Sequence, residues 1–228
     1  MSDWRLLHVG DASLVVEFER RIDPAVNARA LAVGAAIRSA RHPGVLDVVE
    51  GYCSVTVAFD PLRTAVEPLI ADLEAAADRA PLAETEAQEV TLPVCYGGRH
   101  GPDLGAVAAF AGCSETDVVT LHAGATYRVY MLGFLPGFAY MGTVEPRIAA
   151  PRRSRPRLRV PAGAVGIAGF QTGIYPLAAP GGWNLIGRCP VRTFDLEAQR
   201  PFLLQPGCAV RFQAITEAEF RQSETTEA

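Results

Sequence analysis

Apolar residues near the start of the chain form two short runs separated by a polar turn. The runs at 4–9 and 13–18 flank a Gly-Asp pair at 10–11 and predict a β-hairpin. Beyond it, apolar residues recur every three to four positions, as they do on one face of a helix. Asp23 followed by Pro24 predicts that this helix begins there, with Asp23 as its N-cap.

The same succession, a pair of short apolar runs and then a helical spacing of apolar residues, repeats along the chain. Runs at 45–50 and 52–59 predict a second pair of strands, and Thr64 with Glu67 forms a capping-box pattern for a second helix. The predicted order is strand–strand–helix–strand–strand–helix. That order is typical of a small α/β sandwich, in which the helices cover one face of an antiparallel sheet.

The polar and acidic segment 80–88 has the composition of a linker. The sequence therefore predicts an α+β domain at 1–85 and a second domain at 86–228. In the second domain, two helices are predicted at 102–110 and 114–123, and short apolar runs are broken by glycine and proline. Many short strands separated by such turns predict a β-barrel.

Composition and charge restrict the possible function classes. The chain has 49% hydrophobic and 20% charged residues, typical of a globular protein, and its formal net charge of −4 argues against general nucleic-acid binding. No apolar run approaches the roughly 20 residues of a membrane helix, and residues 1–9 lack the pattern of an export signal. We therefore expect a cytoplasmic protein that spans no membrane. The polar segment 222–228 is predicted to be a frayed tail.

Cysteine, histidine and lysine usage limits the chemistry further. The five cysteines are widely spaced without a Cys-x-x-Cys pair, which favours reduced thiols over a disulfide framework or a zinc site. The histidines at 8, 42 and 100 show no spacing typical of metal ligands, so no metal site is predicted. The sequence contains no lysine, which excludes Schiff-base chemistry and a phosphate-binding lysine within these residues.

The segment 133–188 combines glycine, proline, aromatic and arginine residues and is predicted to form loops of fixed shape. Six arginines lie between positions 147 and 159, and arginine binds carboxylate or phosphate through two parallel hydrogen bonds. A solvated basic loop is the alternative for part of this cluster. Arg152 and Arg157 each follow a proline that fixes the backbone, so we predict an anion site at these two residues.

Other polar and aromatic residues could also contact a substrate. Gln171 and Thr172 lie between two glycines, where an amide side chain could bind another amide; a turn that caps its own backbone is the alternative. Trp183 could line an apolar pocket or anchor the barrel. His122 lies near the end of a predicted helix, where the helix dipole favours the protonated ring and titration near neutral pH. A half-buried histidine bonded to a backbone carbonyl is its alternative.

Ordered motifs run through the second half of the chain. They are Gly133-Phe134-x-Pro136-Gly137-Phe138-x-Tyr140, Pro151-Arg152, Pro156-Arg157, Val160-Pro161-Ala162-Gly163, Gln171-Thr172-Gly173-Ile174-Tyr175-Pro176 and Pro180-Gly181-Gly182-Trp183. A chain with these motifs in this order resembles the family of 5-oxoprolinase B subunits, also called the PxpB/KipI family or allophanate hydrolase subunit 1. The resemblance extends over essentially the whole chain.

The resemblance implies an α+β domain followed by a cyclophilin-like β-barrel. It also implies two partners, a C subunit (PxpC/KipA-like) and an A subunit (LamB/YcsF-like), which together with this chain open 5-oxo-L-proline to L-glutamate. ATP with Mg²⁺ would be bound at, or shared with, the partner subunits. The positions carried over as catalytic are His122, Gln171, Arg152 and Arg157, and those carried over as substrate-binding are Tyr127, Phe134, Thr172, Tyr175 and Trp183.

Three functions fit this resemblance. In an ATP-dependent lactam hydrolase, Arg152 and Arg157 would bind phosphate or carboxylate, Gln171 the lactam amide, and His122 would transfer a proton. The alternatives are a carboxyltransferase-type subunit of a biotin-dependent urea or allophanate pathway enzyme, and a KipI-like histidine-kinase inhibitor. For the hydrolase we expect activity only in a complex, with aromatic side chains on rigid loops serving as the interface. Those aromatic residues are Phe134, Phe138, Tyr140 and Trp183.

Overall fold

A computed structural model describes residues 3–80 and 88–226 of the chain. The chain divides into two compact units, residues 1–87 and 88–228. The boundary predicted after residue 85 and most of the predicted linker lie outside the described residues.

The first unit has the predicted order of strands and helices. Its elements are β1 (Trp4–His8), β2 (Ser13–Phe18), α1 (Pro24–Ala40), β3 (Val45–Glu50), β4 (Ser54–Phe59) and α2 (Val66–Arg79). The strands form one antiparallel sheet in the order β1-β2-β4-β3. Alternate residues of β2 and β4 are buried, and they share one apolar core with Val33 of α1 and Leu69 of α2. The helices therefore cover one face of the sheet, as predicted.

One of the two predicted helix caps is confirmed and the other is wrong. Asp23 accepts hydrogen bonds from the backbone N–H groups of Ala25 and Val26 at the start of α1. Thr64 does not cap α2, because its hydroxyl donates to the carbonyl oxygen of Pro43 at 3.1 Å. The helix begins two residues later, after Ala65, without a side-chain cap.

The second unit contains a closed β-barrel, which confirms the predicted fold class. Seven strands pair in the order β10-β7-β6-β13-β5-β12-β9, and a two-stranded ribbon, β8 with β11, accompanies them. The pair β5 and β13 is parallel, while the other pairs are antiparallel. The strands are β5 (Glu89–Tyr96), β6 (Thr126–Leu132), β7 (Ala139–Gly142), β8 (Arg157–Val160), β9 (Ala164–Ala168), β10 (Gln171–Ile174), β11 (Ala179–Gly181), β12 (Asn184–Arg188) and β13 (Ala209–Ile215).

Helices of this unit are α3 (Leu104–Ala111), α4 (Glu115–Ala123) and α5 (Glu217–Thr226). The last contradicts the predicted frayed tail as far as residue 226, and 227–228 lie outside the described residues. Ser114 and Asp117 form the capping box of α4. Within the described ranges no single helix is long and apolar enough to cross a membrane; α3 and α4 meet the length and hydropathy criteria only jointly, as a pair bent by 93°.

Side chains of β9 show how the barrel separates its two faces. Val165 and Ile167 belong to the large core that fills the barrel, whereas Ala164 and Ala168 belong to a second apolar cluster. Because successive side chains of a strand point to opposite faces, this second cluster lies on the outside of the barrel wall. The predicted site residues are divided between these two faces.

Candidate functional site

On the inner face, His122 is part of a closed hydrogen-bond chain. Its Nδ1 lies 2.8 Å from the hydroxyl of Tyr96, and its Nε2 lies 2.9 Å from Oγ1 of Thr172. The Thr172 hydroxyl in turn donates to the carbonyl oxygen of Gly166 at 3.0 Å. A hydroxyl has one proton, so Thr172 must accept from Nε2–H, and Nδ1 must accept from Tyr96. With His122 neutral, each of the hydrogen bonds that link Tyr96, His122, Thr172 and the Gly166 carbonyl therefore has one donor and one acceptor.

The surroundings of His122 keep its ring neutral. The residue is fully buried between α4 and the barrel, its ring stacks on Phe212 at 4.7 Å, and burial lowers its pKa from 6.5 to about 3. The prediction that the helix dipole keeps its titration near neutral pH is therefore wrong, because desolvation outweighs the dipole.

Two further residues predicted to bind substrate belong to this interior. Thr172 and Tyr127 are fully buried, and the Tyr127 hydroxyl donates to the carbonyl oxygen of His122 at 3.0 Å. Gln171 and Thr172 lie on strand β10 and not in the predicted loop. The structure therefore assigns His122, Thr172 and Tyr127 a shared place in the barrel core, away from solvent.

The outer face carries an aromatic cluster that packs on glycines of the barrel wall. In the register of the sheet, Gly173 of β10 lies opposite Tyr140 of β7 and Gly166 of β9. A Cβ atom on Gly173 would lie 3.2 Å from both Phe138 and Trp183, and 2.9 Å from a backbone oxygen. The glycines that suggested loops in the sequence are thus needed for aromatic rings to lie directly on the strands.

The cluster is held together by edge-to-face ring contacts. Phe138 is its centre, with ring centroids 4.8 Å from Tyr140, 5.1 Å from Tyr175 and 5.4 Å from Trp183. Phe134 contacts Phe138 at 5.7 Å, yet 61% of Phe134 is exposed. Burial raises the pKa of both tyrosine hydroxyls, so they remain neutral hydrogen-bonding groups.

Asp103 fixes the arginine-rich loop beside this cluster. Its Oδ1 accepts from Arg153 at 2.7 Å and from Arg157 at 2.8 Å, and its Oδ2 accepts from the backbone N–H of Leu185 at 2.8 Å. Asp103 is 4% exposed, so these are charge-assisted bonds in a largely desolvated place. Arg157 is therefore part of an internal ion pair, which leaves fewer of its donors for the predicted anion site.

Arg152 is held between two fixed neighbours but keeps its own charge accessible. The carbonyl oxygen of Pro151 accepts from the side-chain amide of Asn184 at 2.8 Å, and the N–H of Arg153 donates to Gly182. The exposed guanidinium of Arg152 lies 5.9 Å from the ring centroid of Trp183. Within residues 3–80 and 88–226, no carboxylate pairs with it.

We call this group the arginine–aromatic patch, defined as Phe134, Phe138, Tyr140, Arg152, Tyr175 and Trp183. A guanidinium beside a rigid aromatic surface can hold a small carboxylate whose body is apolar or planar. Gln171 is half-buried on the same outer face, one pleat along β10 from Gly173. Tyr175 also lines an adjoining cavity of about 240 Å³, together with Arg188 and Arg192.

Comparisons with known proteins agree with the barrel and its motifs. The family model described as carboxyltransferase domain, subdomain C and D, matches residues 4–204. The 5-oxoprolinase B subunit of Bacillus subtilis (strain 168) is 38% identical over 228 residues, which cover 95% of each chain. The protein of the same name from Escherichia coli O157:H7 is 41% identical over 204 residues, covering 90% of this chain and 93% of the relative. The chain belongs to the family of 5-oxoprolinase B subunits.

A solved structure shows the same fold at a comparable level of identity. The crystal structure of TTHA0988 superposes with a TM-score of 0.81 at 41% sequence identity. The match covers 89% of this chain but 39% of TTHA0988, so the chain spans well under half the length of that protein.

The nine residues predicted as the family's site thus fall into three groups. Phe134, Arg152, Tyr175 and Trp183 meet in the arginine–aromatic patch, with Gln171 on the same face. His122, Thr172 and Tyr127 lie inside the barrel, and Arg157 pairs with Asp103. Sequence reasoning missed Asp103, Asn184 and Tyr96, because their partners lie 17 to 82 residues away along the chain.

Replacing Asp103 by Ala should destabilise the protein by about 2 to 3 kcal/mol. The change leaves Arg153 and Arg157 without their carboxylate and the Leu185 N–H without its acceptor. Urea unfolding followed by circular dichroism measures the effect. Glu197→Ala, at an exposed position of the same unit, is the control and should stay within about 0.5 kcal/mol of the wild type. Equal stability of the two variants would contradict the role given to Asp103.

The low pKa of His122 predicts a specific dependence of stability on pH. The unfolded chain binds a proton at His122 below pH 6.5, whereas the folded chain does so only near pH 3. Stability from this group is therefore complete above pH 6.5 and falls by about 1.4 kcal/mol per pH unit as the pH drops toward 3. Comparing unfolding free energies of the wild type and His122→Gln at several pH values isolates this slope. His8→Gln, at an exposed position, is the control, and its unfolding free energy should depend on pH as that of the wild type does. If the unfolding free energy of His122→Gln also depends on pH as in the wild type, the low pKa assigned to His122 is refuted.

Proposed function

We propose that this chain acts as the B subunit of an ATP-dependent 5-oxoprolinase, which opens 5-oxo-L-proline to L-glutamate. The observation that carries the proposal is 38–41% identity to two proteins of that name over at least 90% of the chain. The word subunit in those names supports a multi-subunit complex. The partners that the proposal requires are the C and A subunits of such an enzyme.

The reaction explains why an anion site beside an aromatic surface is useful. A lactam resists hydrolysis because attack on its carbonyl carbon must overcome amide resonance. ATP, when bound, would supply a phosphoryl group to the lactam oxygen, which makes the ring carbon a better electrophile. Water can then attack that carbon, and the ring opens as the C–N bond breaks and the nitrogen takes a proton. The protein groups must hold the carboxylate and the planar ring of 5-oxoproline in a fixed orientation while water attacks.

The arginine–aromatic patch offers groups suited to that task. The guanidinium of Arg152 can bind the substrate carboxylate with two parallel hydrogen bonds. Half-buried Tyr140 provides a rigid surface beside it, with the buried ring of Trp183 packed behind, and the Gln171 amide can both donate to and accept from the lactam amide. Because the Arg152 backbone is fixed by its neighbours, only its side chain loses conformational entropy on binding.

The same patch is poorly suited to ATP. A triphosphate needs several cations or a backbone cradle, whereas Arg153 and Arg157 are bound to Asp103 and the chain has no lysine. The patch fits a single carboxylate, so we propose that ATP and Mg²⁺ are held mainly by partner subunits. Exposed Phe134, the most accessible aromatic residue of the patch, is the anchor on which a partner would close.

The description of the matching family model favours one alternative. Its name, carboxyltransferase domain, subdomain C and D, supports a carboxyltransferase-type subunit of a biotin-dependent enzyme. In that case the patch would bind a carboxylated cofactor arm. The two functions separate in an assay of the reconstituted complex. Consumption of 5-oxoproline with ATP supports the hydrolase, and biotin-dependent carboxyl transfer supports the alternative.

The purified chain should show negligible hydrolysis of 5-oxoproline, and activity should appear when the A and C subunits are added. The reason is that the patch holds one anion but contains neither an activated nucleophile nor a phosphate cradle. Glutamate formation with ATP and Mg²⁺ measures the result. Rapid hydrolysis by the chain alone would contradict the proposal, as would a mixture of the two partners that is equally active without the chain.

Within the active complex, Arg152→Ala should lower kcat/KM for 5-oxoproline at least ~10-fold while leaving the stability of the chain within about 0.5 kcal/mol. Arg159→Ala, an exposed arginine of the same segment, is the matched control and should retain wild-type activity. Arg157→Ala should behave differently, losing stability because it leaves Asp103 with fewer partners. Wild-type kcat/KM in Arg152→Ala would remove Arg152 from the substrate site.

A further inference from the structure

Three side chains with metal-binding atoms meet where α5 packs near the end of β5. They are Cys95 on β5, His100 in the following turn, and Glu217, the first residue of α5. The Oε2 atom of Glu217 lies 2.7 Å from Nε2 of His100 and 3.8 Å from Sγ of Cys95, and all three ligand atoms lie within 4.8 Å of one another.

The two oxygens of Glu217 have different partners. Oε1 is bound by Arg99 and by Arg221, at 3.1 Å from the latter. Oε2 is the atom that faces His100 and Cys95. Hydrogen bonds that hold one carboxylate oxygen orient the other, as outer partners do in protein metal sites. The arginines therefore direct Oε2 toward the nitrogen and the sulfur without occupying it. Nε of Arg99 also lies 3.3 Å from Nε2 of His100, so this arginine must move aside for an ion to bind that nitrogen.

The cluster is enclosed on one side and open on the other. Cys95 is 6% exposed and His100 is 7% exposed, and the His100 ring packs on Phe220 at 4.3 Å. Phe220 lies one turn beyond Glu217 on α5, so a single helix provides both a ligand atom and the apolar wall. The Glu217 side chain is 38% exposed, which leaves an approach for an ion and a water molecule.

We propose that Cys95, His100 and Glu217 bind a Zn²⁺ ion. Sulfur, imidazole nitrogen and carboxylate oxygen together are the ligand set of zinc, whereas Mg²⁺ and Ca²⁺ select oxygen ligands alone. Around a tetrahedral zinc ion the ligand atoms lie roughly 3.3–3.8 Å apart. The 3.8 Å separation already agrees, and the His100–Glu217 contact needs to widen by less than about 1 Å to admit the ion.

Binding is balanced in protons but leaves positive charge at the site. The Cys95 thiol donates its hydrogen to Glu217 in the metal-free site, and on binding that proton leaves to solvent as the zinc–sulfur bond forms. With the ion bound, Nε2 of His100 presents its lone pair, so the neutral ring carries its proton on Nδ1. The charges of thiolate and carboxylate then equal that of the dication, a water molecule completes the tetrahedron, and the positive guanidinium groups of Arg99 and Arg221 remain on Oε1.

The ion would connect α5 to the barrel through residues far apart in the chain. Glu217 lies 117 residues from His100 and 122 residues from Cys95. This distance explains why the spacing of cysteines and histidines in the sequence predicted no metal site. The proposal stands apart from the proposed function, because none of its residues belongs to the arginine–aromatic patch.

Titration of the metal-free full chain with Co²⁺ tests the site directly. The wild type should bind one ion per chain and develop a thiolate-to-cobalt charge-transfer band in the near ultraviolet with tetrahedral visible bands. Zn²⁺ should displace the cobalt, while Mg²⁺ in excess should not. Cys95→Ser should abolish the charge-transfer band. Glu217→Gln, which keeps the side-chain shape, should weaken zinc binding at least ~10-fold in competition with a chromophoric chelator.

Cys113→Ser is the matched control, because Cys113 is more exposed than Cys95 and belongs to no such group among residues 3–80 and 88–226. It should bind cobalt as the wild type does. The wild-type titration does not depend on any variant folding correctly, and a wild type without the thiolate band would overturn the proposal. A band that survives in Cys95→Ser, or one lost in Cys113→Ser, would do the same.

Discussion

The carboxylate of Asp103 connects three segments of the second unit that are far apart in sequence. It lies just before α3, accepts a backbone hydrogen bond from β12, and binds Arg153 of the loop before β8 and Arg157 at the start of β8. A buried carboxylate costs several kcal/mol to desolvate, so it is stable only where donors surround it. Here three groups donate hydrogen bonds to it, and removal of the carboxylate would leave each of these donors without its acceptor. The shape of the arginine-rich loop therefore depends on this one side chain.

The barrel wall places chemically different groups on its two faces. On the inside, His122 is neutral and fully bonded, and it joins α4 to β10 through Thr172. On the outside, Gly166 and Gly173 let aromatic rings approach the strands closely. Residues adjacent in sequence consequently have unrelated roles, since Thr172 serves the core while Gln171 and Gly173 face outward. A motif read as one functional unit is divided by the pleat of the strand.

Local sequence signals predicted the fold well. The Asp23 cap and the alternating strands depend on residues within a few positions of one another, and the structure confirms them. The prediction that Thr64 caps α2 is wrong because its hydroxyl bonds to the carbonyl oxygen of Pro43, 21 residues away. The candidate site was predicted only in part. Arg152 and Trp183 could be selected as site candidates from their residue types alone. The neutral ring of His122 and the ion pair of Arg157 could not be predicted in this way, because they depend on burial and on partners distant in the sequence.

Arg152 and Arg157 show how context separates two residues with the same local pattern. Both follow a proline, and both lie in the motifs on which the resemblance to the family of 5-oxoprolinase B subunits rests. Arg157 meets a buried carboxylate and becomes part of the framework, while Arg152 meets the face of Trp183. An aromatic ring attracts a guanidinium but accepts none of the strong hydrogen bonds that a carboxylate would accept. The donors of Arg152 therefore remain available in a fixed direction, and the framework formed by Arg157 and Asp103 keeps that direction constant.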